Sequence, residues 1–270
     1  MTQTSADKRR AFRKLHEAGC FVIPNPWDVG SALALQSLGF QALASTSAGM
    51  AWAMGKADGQ ATLDEVLAHL AALAGRLDIP LNADFENGFA DAPDAVAANV
   101  ARAVGTGVAG LSVEDSTGDA AQPLYDFDLA VARVAAAKAA IDAIDPAVML
   151  TARSEGFIRG RPDLPETVRR LKAFAEAGAD CLYAPGLREP AQIRAVVEAV
   201  APRPVNLLTP GLPVAEIAAL GVRRISVGGS LARTAWGEFL RAAREIATDG
   251  AFTAFGRGAS GGELNRMFGE

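Results

Sequence analysis

Cysteine and histidine are scarce. Cys20 and Cys181 are the only cysteines in 270 residues and stand far apart at the starts of apolar runs. That argues against a disulfide framework or a cysteine zinc site, and both thiols are expected to be buried. His16 and His69 fall on expected helices rather than at strand ends, so neither is assigned to catalysis. No apolar run approaches the roughly 18 residues of a membrane span. The polar start Met1-Thr2-Gln3-Thr4-Ser5 lacks the apolar core of a signal peptide, so no membrane association and a cytoplasmic location are expected. Basic charge is short as well: 26 Lys and Arg face 31 Asp and Glu, and Lys8-Arg9-Arg10 is the longest basic run. The electrostatic footprint of a nucleic-acid binder is missing, which leaves small-molecule chemistry.

Half of the residues are hydrophobic and only 6% are aromatic, so the core must be built from Ala, Val and Leu. The chain supplies them in a repeating unit. Short apolar runs expected as strands occur at residues 20–25, 41–46, 81–85, 111–114, 147–153, 181–184, 204–208 and 224–228. Between them lie segments of helical periodicity, such as Leu63, Val66, Leu67, Leu70, Leu73 and Leu77 behind a Thr62 cap. Strands and helices alternating in this way read as one parallel (β/α)8 barrel of the TIM type, although an open doubly wound sheet gives a similar string. A lead-in helix is expected within residues 1–19 and the barrel over 1–250. Residues 251–270 read as a Gly-rich linker and a short tail helix, whose Leu264, Met267 and Phe268 must dock on a neighbouring subunit or back on the barrel.

In such barrels the chemistry lies at the C-terminal ends of the strands. Those ends carry Asn25, Trp27 and Asp28; Ser45, Thr46 and Ser47; Asp84 and Glu86; Glu114 and Asp115; Arg153 and Glu155; and Asn206. Strand alternation sends Asp84 and Glu86 to the same side, whereas adjacent Glu114 and Asp115 cannot both face the mouth. Asp84, Glu86 and Glu114 are therefore the expected metal site, and oxygen ligands with no His or Cys suit Mg²⁺, or else Mn²⁺. Asp84 would bind directly and the two glutamates through water. Arg153 either grips a substrate carboxylate or bridges the acids. Ser45 to Ser47 offer a cradle for an anionic group, and Ser226-Val227-Gly228-Gly229-Ser230 offers either a phosphate cup or close backbone packing.

The motifs Asn25-Pro26-Trp27-Asp28, Ser45-Thr46-Ser47, Asp84-Phe85-Glu86-Asn87-Gly88-Phe89, Val113-Glu114-Asp115, Ala152-Arg153-Ser154-Glu155 and Asn206 together resemble the isocitrate lyase and phosphoenolpyruvate mutase superfamily. The resemblance covers roughly residues 20–248 and implies a barrel that acts on 2-oxo acids through a magnesium-held enolate. It makes Asp84 the principal metal contact with Glu86 and Glu114 behind it, Asp84, Glu114 and Arg153 the catalytic set, Trp27 a pocket wall, and Asp28, the three hydroxyl residues, Arg153 and Asn206 substrate contacts. Two departures are visible. The stretch Ser116 to Leu124 lacks both the Lys-Lys-Cys-Gly-His motif of the lyases and the loop Lys and Asn of the mutases, and Glu86 replaces the more usual Asp. A carbon-carbon lyase is expected, with oxaloacetate decarboxylation first, retro-aldol cleavage of a methylisocitrate-like substrate second and phosphonopyruvate-type chemistry third. A non-catalytic 2-oxo acid binder is the reading from another class. A homo-oligomer, dimer or tetramer, formed through the tail completes the expectations.

Overall fold

Runs rich in Val, Leu, Ile and Ala become strands where both of their faces are covered, as in a barrel with helices outside and side chains within. In the computed structural model, which describes residues 3–269, eight such runs pair in parallel. They are β1 Phe21–Ile23, β2 Leu43–Ala44, β3 Leu81–Asp84, β4 Gly110–Glu114, β5 Met149–Arg153, β6 Cys181–Tyr183, β7 Val205–Leu208 and β8 Arg224–Ser226. Their order is β1-β8-β7-β6-β5-β4-β3-β2, and the Ala44 amide donates to the Pro24 carbonyl at 3.1 Å across the remaining gap. The protein is a (β/α)8 barrel, and the open-sheet alternative is excluded.

The helices are α1 Ser5–Leu15, α2 Val29–Ser37, α3 Ser47–Ala53, α4 Leu63–Arg76, α5 Pro93–Gly105, α6 Phe127–Ile144, α7 Leu164–Glu176, α8 Pro190–Val200, α9 Val214–Ala219, α10 Ser230–Asp249 and α11 Gly261–Phe268. The expected Thr62 cap is present: its hydroxyl accepts from the Glu65 amide while the Glu65 carboxylate accepts from the Thr62 amide. This box starts α4, which buries Val66, Leu70 and Leu73. The lead-in helix α1 closes the N-terminal end of the barrel. Phe12 is fully buried there, Lys8 donates to the Ala74 carbonyl at 3.0 Å, and Arg9 and Arg13 donate to the carbonyls of Val108 and Ala147. Cationic side chains thus satisfy carbonyls at the barrel's lower rim.

Two expectations change. The second strand ends before Thr46, because Thr46 caps the unanticipated short helix α3, its hydroxyl accepting from the Gly49 amide. Cys181 is fully buried as expected, but Cys20 is only half-buried. The tail helix α11 lies against α2 of its own chain, the second of the two dockings allowed for it. The larger unburied apolar face belongs instead to α10, where only Ala232 is buried and Trp236, Phe239 and Leu240 remain exposed.

Candidate active site

Several strand ends deliver polar side chains to the upper mouth. Asp84 closes β3, and its Oδ2 accepts from both the amide and the hydroxyl of Ser47, at 3.0 and 2.9 Å. Its Oδ1 accepts from Arg153 Nη1 at 2.6 Å. The same guanidinium reaches Glu114 Oε2 at 3.2 Å and Glu155 Oε1 at 2.9 Å, so one arginine ties three acids together. Of the two roles open to Arg153, bridging the acids is the one seen. Arg159 adds a second, half-exposed guanidinium 3.3 Å from Glu114 Oε1.

Asp84 and Arg153 form one wall of a cavity of about 250 Å³ that also takes in Ser45, Thr46, Ser47 and Asn206. Glu86 and Glu114 stand behind that wall rather than in it. Glu86 reaches its place through a turn and not through strand alternation, since it lies past the end of β3 with φ at 45°. Trp27 and Asp28 are not brought to the cavity. They line a separate groove with Trp236 and Phe239, and the Asp28 carboxylate caps α2 by accepting from the Ser31 amide at 2.7 Å. Asp115 is spent on buried Arg170, at 3.1 Å, and on the Glu155 amide. The proposed phosphate cup is spent as well, because the amides of Val227 and Gly228 both donate to Asn25 Oδ1 at 2.9 Å. Close packing is what the glycines there serve: a side chain at Gly229 would meet Trp52 at 3.1 Å.

Three residues at this mouth carry little signal in the sequence. Asp58 sits in an Asp-Gly turn between α3 and α4, where it reads as a turn former, yet it lines the cavity. Tyr183 ends β6 beneath Arg153, whose guanidinium carbon lies 5.1 Å from the ring centre. Arg159 lies six residues beyond Arg153 in a loop, where periodicity says nothing. A wider cleft between residues 121–126 and α7 measures about 510 Å³, but no member of the acid cluster lines it.

The electrostatics are those of acids crowded around too little positive charge. Burial raises Glu114 to about 8, Glu155 adds to the shift, and Arg153 opposes it. Burial raises Glu86 to about 7, with Asp84 and Asp58 pushing the same way. Asp58 is also raised, by desolvation first and Asp84 second. Burial works against the charge on Arg153, but Glu155, Glu114 and Asp84 overcome it and raise its pKa. Glu86 Oε1 is buried with no hydrogen-bond partner.

An unpartnered carboxylate oxygen beside repelling acids fits a hard divalent cation. Among the described residues no three of His, Cys, Asp and Glu converge closely enough to cage an ion. The donor set therefore suits a metal that takes one carboxylate, Asp84, and completes its shell with water, with Glu86 and Glu114 as outer partners.

Glu86 and Glu114 have folded-state pKa values of about 7 and about 8, above the unfolded value of 4.5, so the folded chain binds more protons between those limits. Stability is then greatest below pH 4.5 as far as these two groups are concerned, and falls as pH rises toward 8. Urea unfolding at pH 5.5 and 8.5 checks this, and Mg²⁺ is expected to restore more stability at 8.5. Equal Mg²⁺ effects at both pH values would count against the site.

The phosphoenolpyruvate phosphomutase family matches residues 12–247 of the chain. The chain belongs to that family. A crystal structure of a candidate lyase/mutase from Burkholderia cenocepacia superposes with a TM-score of 0.95 at 47% identity, over 98% of this chain and 97% of that one. The oxaloacetate decarboxylase of Paraburkholderia xenovorans is 31% identical over 82% of this chain and 75% of its own. A phosphonopyruvate hydrolase complexed with oxalate and Mg²⁺ superposes with a TM-score of 0.86 at 26% identity, over 99% of this chain and 95% of that one. The protein is accordingly an enzyme of the phosphoenolpyruvate mutase and isocitrate lyase superfamily, of the lyase/mutase type. Its stretch from Ser116 to Leu124 folds as a tight hairpin, with these two residues bridged and the Thr117 amide donating to the Pro123 carbonyl. No helix among the described residues is long and apolar enough to cross a membrane.

Proposed function

We propose that this enzyme cleaves a carbon-carbon bond beside the 2-oxo group of a small acid, with decarboxylation of an oxaloacetate-like substrate as its reaction. The carrying observation is the makeup of the cavity: Asp84 and Arg153 share one wall, and none of the lining residues is Lys, Cys or His. Cleavage that expels an alkoxide or carbanion fragment calls for an acid of the kind the lyase loop motif supplies, and the stretch Ser116 to Leu124 has no Lys, Cys or His. Loss of carbon dioxide calls for none, because it departs neutral. The C3–C4 electron pair of oxaloacetate passes toward the 2-oxo oxygen, carbon dioxide leaves, and the resulting enolate takes a proton from water at C3 to give pyruvate.

Asp84 and its neighbours would hold Mg²⁺, or Mn²⁺, which when bound supplies positive charge where the 2-oxo oxygen gains electrons. The chain's own part is positioning. Neutralising Asp84 loosens its hold on Arg153, whose planar fork then grips the substrate's C1 carboxylate. The hydroxyls of Ser45 and Thr46 and the amide group of Asn206 complete the polar wall. Ile158 and Leu208 line the same cavity and give it an apolar side. Relatives bearing oxaloacetate decarboxylase activity and a structural neighbour holding oxalate with Mg²⁺ support this reading.

The test is a panel of oxaloacetate, methylisocitrate and phosphonopyruvate, each with Mg²⁺ and with chelator. Pyruvate release from oxaloacetate that disappears with chelator is expected. Turnover indifferent to chelator would sink the metal-dependent mechanism, and oxalate binding without any turnover would make the barrel a 2-oxo acid binder. The homo-oligomer is also part of the proposal, with its apolar contact moved from the tail to the face of α10 carrying Trp236, Phe239 and Leu240. Sedimentation of a Phe239→Glu variant is expected to show smaller particles than the unmodified chain, and an unchanged mass would exclude that face.

A further inference from the structure

Among the described residues, two that are not glycine adopt a left-handed backbone: Glu86 at φ 45° and Phe89 at φ 56°. Both lie in the turn that follows β3. Gly88 between them, at φ 75°, suits that region, but a side chain at the other two positions crowds the neighbouring carbonyl. Such a backbone persists only where its surroundings hold it. The group that holds this one comes from the middle of α6. Arg133 Nη2 donates to the Asn87 carbonyl, and Nη1 donates to the carbonyls of Ala90 and, at 2.6 Å, Asp91. Its side chain is 1% exposed, and the guanidinium carbon lies 4.0 Å from the centre of the Tyr125 ring. The Tyr125 hydroxyl grips the same turn, donating to Asp91 Oδ1 at 2.5 Å and accepting from Asn87 Nδ2 at 3.2 Å.

Ordinary loop packing accounts for a buried arginine, but not for where these contacts fall. The Glu86 carbonyl accepts from the Glu114 amide at 3.0 Å, and the next carbonyl along, that of Asn87, accepts from Arg133. Two successive carbonyls are thus pinned from β4 and from α6, and the conformation of Glu86 is set between them. The Glu86 carboxylate has an oxygen with no hydrogen-bond partner, so the backbone is what aims it. A planar fork is suited to this task, because its donors reach three converging carbonyls that a single ammonium group cannot span.

The geometry points to Arg133 as a positioning residue for the metal site, holding residues 86–91 in the left-handed turn that keeps the Glu86 carboxylate behind Asp84. This rests on the metal-dependent reading above and assigns a role to a side chain that meets neither metal nor substrate. Its charge alone would act in the opposite sense. Burial lowers the Arg133 pKa while Tyr125, Asp91, Asp115 and Glu114 oppose that, so the cation stands near acids of the mouth. Removing it would leave the mouth more negative and would by itself favour a divalent cation. The sign of the change therefore separates the two effects.

Calorimetric titration with Mg²⁺ of Glu86→Gln, Arg133→Met and the double variant is the test. Glu86→Gln is expected to weaken Mg²⁺ binding about tenfold, and Arg133→Met by a smaller factor of the same sign. The double variant is expected to match Glu86→Gln alone, because the arginine acts through that carboxylate. Tighter binding in Arg133→Met would mean that its charge dominates, and additive losses in the double variant would mean general damage; either overturns the proposal. Full Mg²⁺ affinity in Arg133→Lys, which keeps the charge and loses the fork, overturns it as well. Hydrogen exchange of the metal-free protein gives a second readout: amides of residues 86–91 are expected to exchange severalfold faster in Arg133→Met while those of α5 and α6 do not, and unchanged exchange in the turn rejects the clamp. If Arg133→Met does not fold, Tyr125→Phe replaces it in the same cycle, since it removes the hydroxyl from Asn87 and Asp91 and keeps the ring under the guanidinium. Failure of the unmodified enzyme to bind Mg²⁺, or full affinity in Glu86→Gln, would remove the metal reading and this inference with it, whereas a failure confined to the Arg133 and Tyr125 variants leaves that reading standing.

Discussion

Replacing Asp84 with alanine is expected to lower kcat/KM for oxaloacetate cleavage at least about a thousandfold, roughly 4 kcal/mol of transition-state stabilisation. Asp84 is the acid that meets the cavity, the Ser47 amide and hydroxyl, and Arg153 at once. Its removal takes away the inner contact proposed for the metal and the anchor that aims Arg153. The fold is expected to survive, because Ser47 and Arg153 face a wet cavity where water replaces the lost acceptor. Asp84→Asn separates charge from shape: the amide can still accept from Ser47, so a purely structural aspartate would be rescued by it. Steady-state kinetics with excess Mg²⁺, beside circular dichroism of each variant, measure both. Activity within tenfold of the unmodified enzyme in either variant would remove Asp84 from the centre of the mechanism.

Arg153→Met should instead act on stability as strongly as on rate. The guanidinium is the shared partner of Asp84, Glu114 and Glu155, and the last two are 8% and 0% exposed at their side chains. With Arg153 gone these buried carboxylates keep only the half-exposed Arg159, and breaking a buried pair costs up to about 3–5 kcal/mol. The direction with pH follows from the acids. Glu114 already stands at about 8 with Arg153 present, and without that cation it must rise further. Protonation relieves the repulsion, so the destabilisation is expected to be larger at pH 8 than at pH 5. Urea unfolding at the two pH values measures it, and an equal cost at both would mean that Arg153 contributes through packing against Tyr183 rather than through charge. Arg153→Met with Glu155→Leu is expected to recover part of the loss, since the most deeply buried acid has then gone with its partner.

The acids and Arg153 were legible in the sequence because each ends a short apolar run, and a parallel barrel turns every strand end toward one mouth. The same rule overreached at Trp27 and Asp28, which follow β1 but pass into the first turn of α2, where Asp28 serves as a cap. It also missed Arg133, which lies within a helix and so outside a search for C-terminal strand ends. Asp58 and Arg159 belong to loops, whose residues carry no periodic signal and whose positions depend on the whole ring.

What the sequence determined by itself is therefore the barrel, the family and the acidic mouth with its arginine, all of which follow from local runs and their spacing. Only the tertiary structure decided how charge is shared within that mouth. Arg153 holds three acids that lie on three different strands or loops, and Glu86 is left with an oxygen unpaired. Pairing of buried charges depends on distances between elements far apart in the chain and on the water excluded between them, and neither quantity is written in any single stretch of residues.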